Sequence, residues 1–339
     1  MRVDRSSIAG RCNGSKMSGA PGTARLGSGP REARMDIVVL GIFVADAAFR
    51  CDRMPAVGET RIGTGFTLGP GGKGSNQAVA AARAGGTVGL ITRVGQDTFA
   101  DMADGVWRAA GVTPLVARDA DHPTGAAGIF VEEGTGRNAI VVSPGAAGQL
   151  SVADVDAQAG AIAGTKVAMT QLEQPITTAQ RFLEIAAAAG VITVLNPAPA
   201  AKIGDDLLAL CDYLTPNETE AEALTGLPVT TLTEAEAAAK ALMARGVRKG
   251  VIVTLGDQGA YLWDGTRGAR IPPVHAGPTL DTTGAGDAFN GGFATALAEG
   301  QGLPDALRFA SAVAGLSVTR IGTAAAMPSR DEVQALLAR

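Results

Sequence analysis

The chain has 339 residues, a net charge of −4 and a hydrophobic content of 46%, which together fit a soluble protein of one large domain or two. No excess of basic residues supplies the positive surface that nucleic-acid binding requires, so we expect no nucleic-acid partner. Three scattered cysteines and two distant histidines argue against a disulfide scaffold, a Ser-His triad or a histidine-rich zinc site. No window holds the eighteen apolar residues of a membrane span, and we expect a cytoplasmic protein without a membrane partner.

Residues 1–34 differ in composition from the rest of the chain. They are rich in Arg, Gly and Ser and show no apolar period, whereas residues 35–41 form a strand-like apolar run. We interpret residues 1–34 as a disordered N-terminal extension and residues 35–339 as the folded domain. Initiation at Met35 is the favoured account of the extension, and a transit peptide is the alternative.

The first apolar run continues over residues 42–49 and contains Asp46 among apolar neighbours. Burial of an unpaired carboxylate is costly, so Asp46 needs a partner or a wet ligand cavity. The alternative is a carboxylate at a strand end that faces water.

A glycine-rich helix entrance follows at residues 69–77, with the sequence GPGGKGSNQ. It is not a Walker A loop, because Gly74 follows Lys73 where a Ser or Thr is needed for Mg²⁺. Gly69, Gly71 and Gly74 satisfy G-x-G-x-x-G, but no acidic residue ends a second strand at the required distance, so a NAD-binding oxidoreductase is the least supported class. The lysine and a following asparagine, beside closely approaching backbone, suit a small polyol; a plain tight turn is the alternative.

A separate small sheet is predicted from three alternating runs. Residues 58–68 form the first, and residues 125–132 and 138–143 form a hairpin around a glycine-containing turn. We expect lid segments at about 42–68 and 124–143, forming a small antiparallel sheet that covers a cleft and excludes water.

From residue 166 onward, predicted strands alternate with predicted helices. This rhythm predicts an α/β fold with a doubly wound, mostly parallel sheet flanked by helices. Ligands bind beyond the carboxyl ends of strands in such sheets, which singles out Glu173 and Asn196, although loop polarity also explains them. Asn217 and Glu220 fit a capping box, and their place after a further strand favours a functional interpretation as well.

Residues 281–292 (DTTGAGDAFNGG) form a glycine turn that leads directly into a helix. The N–H groups of Gly284, Ala285 and Gly286 have no partner inside that helix, so with the helix dipole they form a site for an anionic oxygen. Asp287 lies in the first turn, where a carboxylate suits accepting the proton of a hydroxyl that attacks phosphorus. The alternative is that Asp287 only complements the dipole and the glycines only shape the turn.

Residues 71–80 (GGKGSNQAVA) and 281–289 (DTTGAGDAF) resemble the paired signatures of the ribokinase-like (PfkB) sugar kinases. Between them, residues 196–199 (NPAP), 215–220 (TPNETE) and 254–256 (TLG) resemble further family motifs, and the likeness extends from Met35 to the C-terminus. The resemblance implies a doubly wound α/β domain with a small β lid, which often forms a homodimer interface. It also implies ATP- and Mg²⁺-dependent phosphorylation of the primary hydroxyl of a sugar.

The resemblance further implies a role for individual residues. Asp287 is expected to be the base, and the anion hole is expected at Gly284, Ala285 and Gly286. The sugar is expected to contact Asp46, Gly72, Lys73, Asn76, Glu173 and Asp287. The nucleotide is expected beside Asn217, Thr254, Gly256, Gly259, Gly286 and Ser311, with Glu220 acting on Mg²⁺ through water. A K⁺ site that orders the anion hole is expected at Asp281, Thr283, Ser317, Arg320 and Gly322.

Three positions depart from the family pattern. Val44 stands where the ribose kinases of the family carry an asparagine, and an apolar side chain cannot hydrogen-bond a sugar hydroxyl. Ser311 replaces a histidine beside the adenine, and Ala326 replaces a serine near the cation. We expect a pentose acceptor, with ribose first; deoxyribose, fructose, a nucleoside and a keto-deoxy sugar acid stay open. A catalytically silent sugar- or nucleotide-binding regulatory protein is the non-enzyme alternative.

Overall fold

Strands are the framework of the protein in a computed structural model that describes residues 34–135 and 137–339. The strands found in these residues are β1 Ile37–Leu40, β2 Val44–Cys51, β3 Gly65–Gly71, β4 Val88–Val94, β5 Thr113–Arg118, β6 Thr124–Glu132, β7 Asn138–Gly145, β8 Val167–Thr170, β9 Ile192–Leu195, β10 Tyr213–Leu214, β11 Gly250–Thr254, β12 Ala260–Trp263 and β13 Gly268–Ile271.

Helices connect and cover these strands. Those found in the described residues are α1 Lys73–Arg83, α2 Thr98–Ala110, α3 Val152–Asp156, α4 Ala159–Gly164, α5 Ile176–Ala188, α6 Asp205–Leu208, α7 Glu218–Thr225, α8 Leu232–Ala244, α9 Ala285–Ala298, α10 Leu303–Ser317 and α11 Arg330–Leu337. Helix α1 begins at Lys73, inside the predicted glycine-rich entrance at residues 69–77, and Asn76 N donates to Gly72 O at 2.9 Å in its first turn.

The larger sheet has nine strands in the order β13-β12-β11-β10-β9-β8-β1-β4-β5. Strand β1 pairs in parallel with β4 on one side and with β8 on the other, and antiparallel pairs occur only at the β12 and β13 edge. The chain therefore extends in one direction from β1 and later resumes on its other side, which is doubly wound topology. The predicted fold class is confirmed.

Both faces of this sheet are buried, as the continuous apolar strands require. Within β1, Ile37 and Val39 face a core cluster that contains residues of α1, α9 and α10. Val38 and Leu40 face a second cluster, which contains residues of α5 and α8. The sheet is thus the middle layer of three, and its carboxyl edge opens between the layers.

A second, four-stranded sheet has the order β3-β2-β6-β7. The β2–β3 and β6–β7 pairs are antiparallel, as predicted, whereas the central β2–β6 pair is parallel. Sequence patterns did not indicate this pair, because hairpin signals report only strands that are neighbours in the chain. Residues 58–64 form no strand, and the predicted run is instead extended to Gly71.

The predicted disordered extension at residues 1–34 lies outside the described residues, except for Arg34. Residues Arg34–Arg339 form one compact unit. Within the described ranges, none of the helices combines the length and the apolar character that crossing a membrane requires. The cytoplasmic location stays a prediction.

Candidate active site

Asp287 lies in the first turn of α9, as the sequence predicts, and its side chain is buried. The N-cap of the helix is Gly284, whose φ of +77° is in the left-handed region that glycine adopts without strain. This turn sends the chain abruptly from an exposed loop into α9. The carboxylate therefore points to the carboxyl edge of the sheet from a rigid helical position.

The amides of the glycine turn are available to an anion. Ala285 N donates to Thr282 O at 3.2 Å, whereas the N–H groups of Gly284 and Gly286 make no backbone hydrogen bond within the described part of the chain. Free amides at the positive end of a helix dipole favour a negatively charged oxygen. Two donors of the predicted anion hole are thus open, and the third is already engaged.

Two amide side chains of α1 hold the Asp287 carboxylate. Asn76 Nδ2 donates to Asp287 Oδ2 at 3.2 Å, and Gln77 Nε2 donates to Asp287 Oδ1 at 3.0 Å. The amide oxygen Asn76 Oδ1 is buried and has no partner among the described residues. Each oxygen of the carboxylate therefore has one amide donor, and an unused acceptor lies beside it.

Gly291 allows α1 and α9 to approach closely enough for these contacts. A Cβ atom on Gly291 would lie 2.5 Å from Ala80 Cβ and 2.8 Å from Gln77 O, closer than packed atoms approach. On the α1 side of this contact, the small side chain of Ala80 faces Gly291. A glycine that costs helix propensity therefore positions the carboxylate.

Several charged groups surround Asp287. Burial raises the pKa of Asp287, against the opposing effects of Lys73, Gln77 and Asn76. Burial alone would lower the pKa of the Lys73 ammonium, but the charges of Asp287, Glu173 and Glu220 outweigh it and the net shift is upward. Lys73 is therefore a firmly protonated cation among carboxylates, suited to an anionic ligand.

The predicted sugar-binding residues lie on the α1 side of Asp287. Glu173 Oε2 accepts a 2.7 Å hydrogen bond from Lys73 N, and burial raises the pKa of Glu173 to about 7. Burial, and then the charge of Asp287, raise the pKa of Asp46 to about 6. A Cβ on Gly71 would lie 2.2 Å from Asp46 Oδ2, so this glycine admits the carboxylate. Gly72, with a φ of +87°, is the N-cap of α1.

Several residues predicted to bind the nucleotide line a cavity of about 170 Å³. Its lining includes Lys73 and Asp287 together with Asn217, Glu220 and Thr254, and is completed by Asn196, Ala198, Thr215, Thr282, Gly284, Ala285, Gly286 and Asn290. Asn217 and Glu220 form the capping box of α7, in which Asn217 N donates to Glu220 Oε2 at 2.9 Å. Burial raises the pKa of Glu220. The capping box fixes the carboxylate at the cavity wall.

Three residues predicted for the nucleotide do not line this cavity: Gly256, Gly259 and Ser311. Gly259 has a structural role of its own, since its φ is +92° and a Cβ would lie 2.2 Å from Ile271 O. Ser311 is buried on α10. Their roles toward a nucleotide stay predictions.

The predicted K⁺ residues lie in the loop before α9 (Asp281 and Thr283), at the end of α10 (Ser317) and in the loop that follows α10 (Arg320 and Gly322). Asp281 Oδ1 accepts from Thr283 N at 2.9 Å, and Asp281 Oδ2 accepts from Gly322 N at 3.0 Å. Ser317 O already accepts from Arg320 N. The loops are thus tied together through one carboxylate.

No group of three or more His, Cys, Asp or Glu side chains in the described residues is arranged to hold a metal ion. Mg²⁺ in phosphoryl-transfer sites commonly takes one or two carboxylates together with waters and substrate phosphates. Glu220, a single fixed carboxylate at the cavity wall, fits such an ion.

Four site residues were not assigned a role from the sequence: Gln77, Asn196, Thr215 and Asn290. For Asn196 the sequence predicts only a place at the end of a strand. Thr215 Oγ1 donates to Asn290 Oδ1 at 2.6 Å, and Asn290 Nδ2 donates to Gly286 O at 2.9 Å, so this pair braces the glycine turn. Asn290 could have been suspected, because it follows Asp287 by three residues and shares its helix face.

A buried carboxylate beside a lysine and a helix N-terminus, at the carboxyl edge of a doubly wound sheet, is an arrangement suited to a phosphoryl-transfer enzyme. The chain belongs to the pfkB family of carbohydrate kinases, whose model matches residues 34–330. The predicted family and the predicted carbohydrate kinase activity are therefore confirmed.

Individual relatives agree with this family. The chain is 39% identical to a ribokinase of Schizosaccharomyces pombe, over 88% of this chain and 96% of the relative. It is 37% identical to a deoxyribokinase of Salmonella typhi, over 88% of this chain and 97% of the relative. A solved structure of Arabidopsis thaliana ribokinase, complexed with ribose and ATP, superimposes with a TM-score of 0.84 and 31% identity, covering 89% of this chain and 98% of that one.

Proposed function

We propose that this carbohydrate kinase transfers the γ-phosphoryl group of ATP to the primary hydroxyl of a pentose, with ribose as the first candidate. The observation that carries the proposal is the cavity in which Asp287, Lys73 and the open amides of the glycine turn meet the Asn217–Glu220 pair. The ribokinase relatives and the Arabidopsis complex with ribose and ATP support the choice of substrates.

In the proposed reaction, Asp287 accepts the proton of the sugar hydroxyl as that oxygen bonds to the γ-phosphorus. The bond from the γ-phosphorus to its bridging oxygen breaks, and ADP leaves with the electron pair. Lys73 and the Gly284 and Gly286 amides balance the negative charge of the transferred group. General-base catalysis of this kind contributes about 10²–10⁴ in rate, and a single anion-hole donor about 10²–10³.

On the sugar side, the proposal uses groups whose hydrogen-bonding capacity is not exhausted. The unpartnered Asn76 Oδ1 can accept a hydroxyl proton from the acceptor. Asp46 and Glu173 are partly buried carboxylates, and Glu173 accepts a hydrogen bond from Lys73 N alone, so a bound polyol can supply further donors to both. Asp46 belongs to β2 and Gly71 ends β3, so the proposed sugar site adjoins the four-stranded sheet, which we propose to act as the lid.

For Mg²⁺, we propose that Glu220 acts through water on an ion bound mainly by the nucleotide phosphates. When bound, the ion neutralises phosphate charge and orients the γ-phosphoryl group. The capping box keeps the Glu220 carboxylate in place without any ion, so the protein's contribution is prearranged.

For K⁺, we propose a site between the two loops joined by Asp281. Each carboxylate oxygen accepts one backbone N–H and retains a further lone pair, which suits a weakly held monovalent ion. Replacing K⁺ by Na⁺ should lower turnover while leaving the fold intact. An unchanged rate in Na⁺ would contradict this part of the proposal.

A panel of acceptors tests the central proposal. ADP release would be measured with ribose, deoxyribose, fructose, a nucleoside and a keto-deoxy sugar acid, each at matched concentrations. We expect the highest kcat/KM with a pentose. Preference for another acceptor would overturn the pentose assignment, and ATP binding without turnover on any acceptor would favour a silent binding protein.

Deoxyribose is the second candidate acceptor, and Val44 is the observation that favours it. Val44 lies on β2, two residues before Asp46. Its side chain is buried in a small cluster with Ile42 and Ala147. An apolar side chain here offers no hydrogen bond to a hydroxyl but tolerates its absence. The deoxyribokinase relative is consistent with this reading. Val44→Asn should shift the ratio of ribose to deoxyribose kcat/KM toward ribose, and an unchanged ratio would remove Val44 from the specificity site.

We also propose that two copies associate through the lid. Phe49 pairs across the sheet with Phe66 and with Phe130, so all three rings lie on one face and the Phe49 ring contacts the other two. These rings are exposed, and Leu68 and Val141 extend the same face. Asp46, three residues before Phe49, belongs to the opposite face. An exposed aromatic patch of this kind marks an association surface.

Sedimentation of the full chain tests this association. We expect a dimer for the unchanged protein and a monomer for Phe66→Glu. Leu227→Glu, which changes a similarly apolar exposed residue outside the lid, should leave the dimer intact. A wild-type monomer across micromolar concentrations would overturn the proposal.

A further inference from the structure

Gln77 is fully buried on α1 and contacts three other side chains. Its Nε2 donates to Asp287 Oδ1 at 3.0 Å and to Asn196 Oδ1 at 3.1 Å, and its Oε1 accepts from Gln171 Nε2 at 2.5 Å. Every polar atom of the amide is used. None of these contacts belongs to a substrate, so the position of Gln77 depends on the protein alone.

One backbone carbonyl determines how this chain of amides is oriented. Thr215 O can only accept, and it receives a 2.8 Å hydrogen bond from Asn196 Nδ2. Asn196 Oδ1 must then face Gln77, which turns Gln77 Nε2 toward both Asn196 and Asp287. Gln77 Oε1 consequently faces Gln171 Nε2, and no amide in the series can flip without two acceptors meeting.

We propose that Gln77 is a positioning residue for Asp287. Gln77 Nε2 donates to Asp287 Oδ1, and the other hydrogen bonds of the Gln77 amide fix its orientation. An amide nitrogen cannot accept the substrate proton in place of the carboxylate. The remaining lone pairs of the carboxylate are thereby aimed at the cavity, and its ionised form is favoured. This inference rests on the proposed function, since orientation matters for turnover only if Asp287 is the base.

Two substitutions separate this role from simple packing. Gln77→Met keeps the volume but removes the donor. We expect kcat to fall about 10- to 100-fold, and the acid limb of the pH–rate profile to move up by about one unit. Gln77→Glu keeps the shape but can donate only when its carboxyl is protonated, so above the acid limb its activity should decline as that carboxyl ionises, over a pH range where the wild type keeps its rate.

Gln174→Met is the matched control. Gln174 is also buried and donates to Thr170 Oγ1 and Gln171 O, without touching Asp287. Its loss should change stability but leave the acid limb of the profile where it is. Thermal unfolding of all variants shows which are folded at the assay temperature.

Combining Gln77→Met with Asp287→Asn distinguishes failure of the Gln77 inference from failure of the proposed function. If Gln77 acts through Asp287, adding Gln77→Met to Asp287→Asn should cost little further activity, because the two effects are not additive. If Asp287→Asn loses turnover but folded Gln77→Met keeps the acid limb of the wild type, the role of Gln77 is overturned and the proposed function stands. Full turnover in folded Asp287→Asn would instead overturn the proposed function.

Discussion

Asn76 and Asp287 lie 211 residues apart in the chain, and Asn76 Nδ2 donates a 3.2 Å hydrogen bond to Asp287 Oδ2. The bond joins the glycine-rich start of α1 to the first turn of α9. The other amide atom, Asn76 Oδ1, is buried beside this bond and has no partner among the described residues. One amide can therefore orient the base and bind the acceptor.

Asn76→Ala should weaken both roles. We expect kcat/KM for the sugar to fall about 10- to 100-fold, because a carboxylate and a bound hydroxyl each lose a partner. The KM for ATP serves as an internal control, since Asn76 does not line the cavity that contains Asn217 and Glu220. Steady-state kinetics with each substrate varied in turn would measure this. A higher KM for ATP with an unchanged sugar KM would contradict the assignment.

The raised pKa of Glu173 predicts how stability depends on pH. Its ordinary value is 4.5, and the folded protein raises it to about 7, so the folded state binds the proton more tightly than the unfolded state does. Stability from this group is complete below pH 4.5 and is lost as the pH rises toward 7. We expect a loss on the order of 2 kcal/mol over that window, measured by denaturant unfolding without substrates.

Glu173→Gln should flatten this slope while retaining an oxygen that accepts from Lys73 N. Glu222→Gln, on the exposed face of α7, is the control and should unfold with the wild-type pH dependence. If the slope between pH 5 and 7 were the same in Glu173→Gln as in the wild type, another group would be responsible.

For Gly291→Ala, helix propensity and packing predict opposite changes in the free energy of unfolding. Propensity alone favours alanine by about 0.5–1 kcal/mol. The added Cβ would meet Ala80 Cβ at 2.5 Å, so we expect destabilisation of about 1–3 kcal/mol and a lower kcat as Gln77 and Asn76 shift from Asp287. Gly105→Ala in α2, whose Cβ would meet nothing within 4 Å, should be stabilising. If denaturant unfolding showed Gly291→Ala to be more stable than the wild type, the close contact between α1 and α9 would be refuted.

Glu220→Gln should raise the Mg²⁺ concentration needed for half-maximal activity by about 10- to 100-fold, as loss of an outer-sphere carboxylate does. Glutamine can still complete the capping box, so stability should change little. Glu234→Gln changes the same capping position in α8, far from the cavity lining, and provides the control. Equal Mg²⁺ titrations for the two variants would exclude a role for Glu220 toward the ion.

The sequence predicted those parts of the site that local patterns encode. Asp287, Lys73 and Asn76 lie in glycine-rich helix starts, and Asn217 with Glu220 follows a capping pattern, so each could be recognised within a few residues. The alternation of strands and helices likewise predicted the large sheet, because its period is a local property.

Contacts between distant segments could not be predicted in this way. Gln77 follows Asn76 directly, yet both reach Asp287 because Gly291 lets two helices nearly touch. In sequence, Gly291 is only a weak helix former. The parallel β2–β6 pair is similarly hidden, since it joins strands separated by three other strands and two helices. Gly259 is expected beside the nucleotide from the family resemblance, but its left-handed φ and its approach to Ile271 O give it a structural reason to be glycine.

The turnover of Asp287→Asn tests the central claim most directly. Asparagine keeps the size of the side chain and can still interact with Asn76 and Gln77, but it cannot take the proton of a sugar hydroxyl. With ribose and ATP, and with folding verified by thermal unfolding, we predict that kcat falls about 10²–10⁴-fold while ATP binding is retained. A folded Asp287→Asn protein that releases ADP at near the wild-type rate would contradict the account.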